Sequence, residues 1–414
     1  MKRFRAKLPL IVSVVARTAS FAALGITTQL YLRELGATRF WVGMSTTLAW
    51  AAIMLFSRLW GTLSDTLLRR EDVILLATAG STALILVPAA SRSVPVVLAG
   101  RFLVEALGAG VPPAAMALLS AEGDAAGRGR RLGVFTTAQA LGLLSGSVLG
   151  GFLSTVLAFR YSFLVITAIS SLGALGAAFV AGEARPAGTR EVSWRALLRK
   201  TLPSLAAVRS DEAMSAHGLI NLYLGIVLRK AGIVGVYGLL MVFLQEKRDI
   251  TPFVSGSLSA INPALQVLSM PIWAPAADRL GRKRVLLAGY ALSTATPLLM
   301  LLSDAFGLLI GAFVILGVGF AAFITGATTF IGDIAPREKE GELMGLVKVS
   351  QGLGGLIGPA IAGVVSSPAV GGYDGMFITM AGMMLVGLLI TALGTQESRP
   401  AGTRRSEHSP ARPS

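Results

Sequence analysis

The chain contains no cysteine among its 414 residues. That excludes disulfides, thiolate nucleophiles and cysteine-bound metals, while leaving the redox compartment open. Charge is also scarce. Asp, Glu, Lys and Arg make up 14% of the residues, against about 25% in an ordinary soluble domain. There are two histidines, and His217 has no metal-binding neighbours in sequence. No P-loop, HExxH, GxSxG or HxE pattern occurs, so nothing in the sequence supports an enzyme, a metal centre, a cofactor or a nucleotide-driven pump.

What the chain has instead is apolar length. Hydrophobic residues make up 53% of it and the mean hydropathy is +0.69. A window of about 20 residues, the thickness of a bilayer core in helical rise, finds twelve candidate spans. They lie near 10–32, 41–60, 73–91, 94–118, 132–156, 160–182, 219–245, 252–275, 285–303, 306–330, 343–366 and 373–393. The basic start followed by an apolar run imitates a signal peptide, but no small-residue cleavage site follows and eleven more spans do. It reads as a retained first helix. The 48 glycines suit closely packed membrane helices.

The formal charge of +15 would point a soluble protein toward nucleic acid. Here it marks topology. Twenty-five of the 37 lysines and arginines fall in segments on the side of the N-terminus, six on the other side, and six within spans. This bias predicts a multi-pass protein of the cell membrane with both termini cytoplasmic, its partners the lipid bilayer and a small molecule, with no nucleic acid.

The sequence is also written twice. At a shift of 212, Arg17 meets Arg229, Glu34 meets Glu246 and Gln139 meets Gln351; at 213, Gly43 meets Gly256, Trp60 meets Trp273 and Asp65 meets Asp278. Gly142, Gly146 and Gly151 return as Gly354, Gly358 and Gly363. Six spans per copy give both copies one orientation. The predicted fold is an all-α membrane protein with twelve transmembrane helices arranged as two parallel six-helix repeats. Residues 1–182 form the N-terminal bundle and 216–393 the C-terminal bundle. A basic cytoplasmic linker, 183–215, joins them, and 394–414 form a disordered cytoplasmic tail.

Two stretches carry a more specific signal. RLWGTLSDTLLRR at 58–70 and WAPAADRLGRKR at 273–284 each set an aspartate ahead of a basic cluster, after the second span of their half. They resemble the loop motif G-x-L-a-D-r-x-G-r-[RK] of the major facilitator superfamily of secondary transporters, and the resemblance extends over nearly all of 10–393. The first copy matches at Gly61, Leu63, Asp65, Arg69 and Arg70 and departs at Thr66 and Leu68. The second keeps Asp278, Arg279, Gly281, Arg282 and Lys283, with Ala274 and Ala276 at the glycine and leucine positions. The resemblance implies a gating role for these loops. Physically, such an aspartate can meet the positive end of a neighbouring helix, and the basic residues can reach carboxylates such as Glu122 and Asp124. The alternative is that the basic clusters only anchor topology.

GLLSGSVLGG at 142–151 resembles the family's antiporter signature g-x-x-x-G-P-x-x-G-G, matched at Gly142, Gly146, Gly150 and Gly151, with Ser147 in place of proline. GGLIGPAIAG carries the related Gly354, Gly358, Pro359 and Gly363. The resemblance implies export; the residues themselves imply close helix packing.

Charges inside spans are costly, so each is a candidate site. Arg101 and Glu105 stand four apart on one helix face. Arg101 matches the family's R-x-x-q-G-x-G arginine, and Glu105 is the proton-coupling candidate, with a structural ion pair as the alternative. Arg17 and Arg229 hold equivalent places and resemble the paired arginines of organophosphate carriers, which implies a two-pronged anion site; the alternative is snorkelling to headgroups. Gln29, Gln139, Asn262, Gln266 and Gln351 complete the candidate substrate cavity, unless they serve only interhelical hydrogen bonds.

The expected function is alternating-access secondary transport by a chain that can act as a monomer, with protons and a small amphipathic compound moving in opposite directions. Organic-anion uptake or exchange, and a transport-dead sensor, are the alternatives.

Overall fold

The computed structural model describes residues 8–121, 128–180, 218–336 and 339–398. Glu122, Asp124, His217 and the whole linker lie outside them. The fold is all-α. The first half holds α1 (Leu8–Glu34), α2 (Arg39–Thr66), α3 (Arg70–Leu84), α4 (Leu86–Ala90), α5 (Val94–Gly108), α6 (Val111–Ala121), α7 (Arg128–Val156) and α8 (Phe159–Ala178). The second half holds α9 (Leu219–Arg248), α10 (Pro252–Leu280), α11 (Arg282–Leu301), α12 (Phe306–Ile334), α13 (Glu340–Val365) and α14 (Gly372–Gly394).

Two spans expected to be continuous are broken. Proline lacks an amide hydrogen and its ring clashes with the carbonyl four residues back. Pro88 therefore stops α3 at Leu84, and the Pro112–Pro113 pair stops α5 at Gly108. Each broken pair still runs the length of one membrane crossing.

Ten segments of the described chain are long and apolar enough to cross a bilayer. The two that fall short in apolar character, α10 and α13, are as long as the rest. α10 carries Pro263, Pro271 and Pro275, and α13 carries Glu340, Glu342 and Lys348. Both pack against the opposite half, α10 on α7 and α13 on α2, where polar residues are shielded from lipid.

The apolar core divides along the membrane normal. At the end where α1 finishes and α9 finishes, called here the Glu246 end, one cluster draws on both halves, joining Leu30, Tyr31 and Val97 to Phe243, Phe313 and Phe377. At the other end, the Asp65 end, each half keeps its own cluster. Leu10, Val73, Leu118 and Phe135 pack together in the first half; Leu222, Tyr290, Phe330 and Leu343 do so in the second. The halves are thus joined at the Glu246 end and hold separate cores at the Asp65 end.

Candidate functional site

Charge burial begins in the first half. Glu105 on α5 is 1% exposed. Arg17 of α1 donates from Nη2 to its Oε2 at 2.7 Å, and Arg101 brings Nη1 to 3.2 Å from Oε1. The second contact is Coulombic only, because neither atom has a hydrogen-bond partner in aligned geometry. One carboxylate is therefore shared by two guanidiniums on two helices. Gly108 makes room for this, since a Cβ there would collide with the Arg17 guanidinium.

The second half treats its equivalent arginine differently. Arg229 on α9 is 1% exposed and donates to the Ser293 hydroxyl at 2.7 and 3.2 Å. Its guanidinium lies 3.7 Å from the Phe323 ring centroid, with Phe320 and Tyr290 beyond. Each of Arg17 and Arg229 is thus engaged within its own half.

Gln29 of α1 donates across the halves to the Tyr237 carbonyl at 3.0 Å, and within the second half Asn262 of α10 donates to the Tyr237 hydroxyl at 3.0 Å. The amide oxygens of Gln29 and Asn262 are buried without partners. Gln139, Gln266 and Gln351 are half-buried, the first on α7 and the others on α10 and α13.

The duplicated glycines lie along two kinds of seam. Gly142, Gly146 and Gly150 pass Thr18, Ala19 and Ala23 of α1, while Gly151 meets Pro252 and Gly256 across the halves. Gly354 and Gly358 pass Val227 and Ala231 of α9, while Gly363 meets Phe40 across the halves. The position that holds Ser147 in one copy and Pro359 in the other turns its carbonyl toward a glycine of the opposite half, Gly256 and Gly43 respectively. Small residues let these backbones touch.

At the Asp65 end the two loops also differ. Asp65 is exposed and 4.0 Å from Arg70, which also donates to the Ala117 carbonyl at 3.3 Å. Arg69 is 3.8 Å from Glu71, and a Cβ on Gly61 would meet open space. In the second copy, Arg282 bridges Asp278 at 2.6 Å and Asp333 of α12 at 3.0 Å. Lys283 holds the chain beyond α14, donating from Nζ to the Thr395 carbonyl and from its backbone N–H to Glu397. Arg279 is exposed. Gly281 adopts φ +101°, a conformation open to glycine, and turns α10 into α11 with one residue. Leu68 stands in its place in the first copy, where the turn from Thr66 to Arg70 takes three.

Sequence reasoning missed the cluster at the opposite end. Glu246 accepts Arg33 at 2.6 and 2.8 Å, Arg39 at 2.7 and 3.2 Å and the Tyr373 hydroxyl at 2.9 Å. Arg39 also donates to the Ser366 carbonyl at 2.7 Å and covers the Tyr373 ring at 3.9 Å. Glu246 had shown itself only as the repeat of Glu34. Its partners are more than 120 residues away in either direction, and no local spacing reveals them.

A groove of about 870 Å³ lies on the flank of the first half, among apolar residues of α2 and α5 such as Trp41, Leu48, Phe102 and Leu103. Among the described residues no cluster of His, Asp or Glu could hold a metal ion.

Two helical halves, joined at one end and separately packed at the other, with polar and charged side chains between and beside them, define a membrane carrier. The sequence profile of the Major Facilitator Superfamily matches residues 10–244 and 222–413, and the chain belongs to that superfamily. It is a multi-pass membrane protein, a secondary transporter of small compounds that works by alternating access, and not an enzyme.

The chain is 23% identical over 344 residues to the "Multi-drug resistance efflux pump PmrA" of Streptococcus pneumoniae, covering 82% of each. It is 22% identical over 392 residues to the "Multidrug resistance protein MdtG" of Klebsiella pneumoniae, covering 92% of this chain and 91% of that one. Among solved structures, the nucleoside transporter NupG superposes with a TM-score of 0.80 at 14% identity, covering 94% of this chain and 100% of that one. A POT family transporter in complex with 5-aminolevulinic acid gives 0.78 at 14%, covering 94% and 96%. At such identities the structural likeness concerns the fold alone.

Proposed function

We propose that the protein is a proton-coupled exporter of small amphipathic compounds in the plasma membrane. In this reading the chain crosses twelve times as two parallel six-helix bundles, 1–182 and 216–393, with the linker 183–215, the tail 394–414 and both termini on the cytoplasmic side. The Asp65 end then faces the cytoplasm, and the conformer described is closed outside and parted inside. Likeness to a relative named as a multi-drug resistance efflux pump supports the direction.

Substrate enters between the halves, toward Gln29, Gln139, Asn262, Gln266 and Gln351. The halves then rock about the glycine seams. The Glu246 cluster parts, and the loops at Asp65 and Asp278, with Arg69, Arg70, Arg279, Arg282 and Lys283, hold the cytoplasmic side shut. One chain contains the whole path, so a monomer suffices.

The observation that carries proton coupling is Glu105 shared by Arg17 and Arg101. Protonating Glu105 removes the only negative charge of this trio. Two guanidiniums would remain in a low-dielectric site, at a cost of several kcal/mol (roughly 3–5 when one partner of a buried pair is removed). Protonation therefore favours a different placement of α1 against α5, and through α1 a different placement of the halves. Sealed proteoliposomes with an internal pH dye test this. Addition of an exported compound should drive proton movement the opposite way, and Glu105→Gln should abolish that movement while binding persists. Unchanged proton movement in a monodisperse Glu105→Gln protein would remove Glu105 from the coupling role.

A further inference from the structure

Lys230 follows Arg229 on α9, and Lys348 lies on α13. Both sit deep. Lys230 is eleven residues from the start of its helix and Lys348 eight from the start of its own, which at 1.5 Å per residue places them about 16 and 12 Å from those ends. Lys230 does not extend toward headgroups. Its Nζ lies 4.5 Å from the ring centroid of Trp50, on α2 of the other half. Gly354 packs on the Lys230 Cβ and Gly355 on the Trp50 ring, so both side chains are framed by α13.

Lys348 shares a helix face with Gly352 and Gly355, the face that meets Met54 and Trp50. Arg229 and Lys230 are adjacent on α9, and Gly354 of α13 packs on Lys230 while Gly355 packs on the same Trp50 ring. Among the described residues none of these three cations has a carboxylate within ion-pair distance; Arg229 has a hydroxyl and aromatic faces, and Lys230 the Trp50 ring. A ring face offsets only part of the cost of taking an ammonium out of water.

The wall between the halves is thus divided chemically: an aromatic and a thioether from the first half, two ammonium groups from the second. We infer that Lys230, Lys348 and Trp50 form a substrate subsite for amphipathic aromatic anions, carboxylates or sulfonates, with the anionic group on the two lysines and the flat apolar body against Trp50 and Met54. This rests on the transport reading above and names the charge of what is carried. It also relocates the anion site expected of Arg17 and Arg229, since those arginines are engaged inside their own halves. A ligand so placed contacts both halves at once, as a compound must if its binding is to draw them together.

The test is equilibrium dialysis of the full chain in nanodiscs against radiolabelled hippurate and naphthalene-2-sulfonate, with tetraphenylphosphonium as a cation of comparable bulk. At least one of the two anions should bind saturably. Lys230→Gln and Lys348→Gln should each weaken it ten-fold or more and Trp50→Leu several-fold, while Lys247→Gln, at the far end of α9, keeps wild-type affinity. The phosphonium should bind more tightly to Lys230→Gln than to wild type. If Lys230→Gln loses both kinds of ligand, Lys230→Arg decides, because retained charge must restore the anion; failure to restore it overturns the site. Absence of saturable anion binding to wild type, or undiminished binding to both glutamine variants, also overturns it. Proton-driven flux of the phosphonium alone would keep the export reading and reject the anion site. Anion binding without proton-driven flux of any compound would do the reverse.

Discussion

Arg17 and Arg229 stand 212 residues apart at matching places in the two halves, both nearly inaccessible to solvent, yet their surroundings differ. Arg17 meets a carboxylate; Arg229 meets a hydroxyl and a phenyl face. The residues matching Arg101 and Glu105 in the second half are Phe313 and Gly317. Meanwhile the glycine seams repeat closely, down to the reciprocal contacts of Gly43 with Pro359 and Gly256 with Ser147. Duplication has kept the backbone contacts along the glycine seams, and the buried side chains have diverged. The first half gives Arg17 a neutralising acid; among the described residues the second half gives Arg229 none.

The most damaging way to break this contrast is at the carboxylate. Glu105→Ala should destabilise the protein by about 3–5 kcal/mol, the cost of stranding a buried charge, read as a fall in thermal unfolding temperature. Ser293→Ala, which takes the hydroxyl from Arg229, should cost less, about 1.5–3 kcal/mol for a hydrogen bond to a charged group. Equal losses would mean that the two arginines are held alike.

Next in size is the seam. Gly146→Val and Gly358→Val place bulk against Ala19 and Ala231 respectively, and overpacking of this kind costs about 1–3 kcal/mol. Both should cut transport at least ten-fold, whereas Gly332→Val, with open space around its Cβ position, should leave transport near wild type.

A smaller thermodynamic effect with a clear structural readout is expected at the Glu246 cluster. Glu246→Gln removes the charge from a surface network, where a pair contributes about 0.2–1 kcal/mol. Spin labels at Thr38→Cys and Ala369→Cys should report a population with longer separations than in wild type, while labels at the Asp65 end move closer. No shift in either distance distribution would deny Glu246 a part in closure. The last contrast lies in the loops. Gly281→Leu should cost about 1–3 kcal/mol, the range for a non-glycine residue in strained backbone, whereas Leu68→Gly should change stability by less than about 1 kcal/mol, both measured by denaturation.

Much of the architecture was legible because membrane helices announce themselves by length and apolar composition. Even the breaks at Leu84 and Gly108 follow from Pro88, Pro112 and Pro113, whose spacing from those points is the reach of a proline ring. The site was legible only where it is local. Arg101 and Glu105 are four residues apart, and helical geometry alone brings them together; Arg17 joins them from 88 residues away, which no periodicity encodes. The direction in which a helix turns its side chains was equally hidden. That is why adjacent Arg229 and Lys230, alike in sequence, part company in space, one into the aromatic interior of its own half and the other onto Trp50 of the opposite half.

Glu246 gathers donors from the ends of α1, α2 and α14, and Arg39 adds the end of α13. A single carboxylate held by so many elements behaves as a fuse. Losing one donor leaves the others sharing the same acceptor, but losing the acceptor releases them all. Separation at this end should therefore proceed as one cooperative event with a single relaxation time. The glycine seams, whose contacts are many, weak and interchangeable, would by themselves give a graded drift.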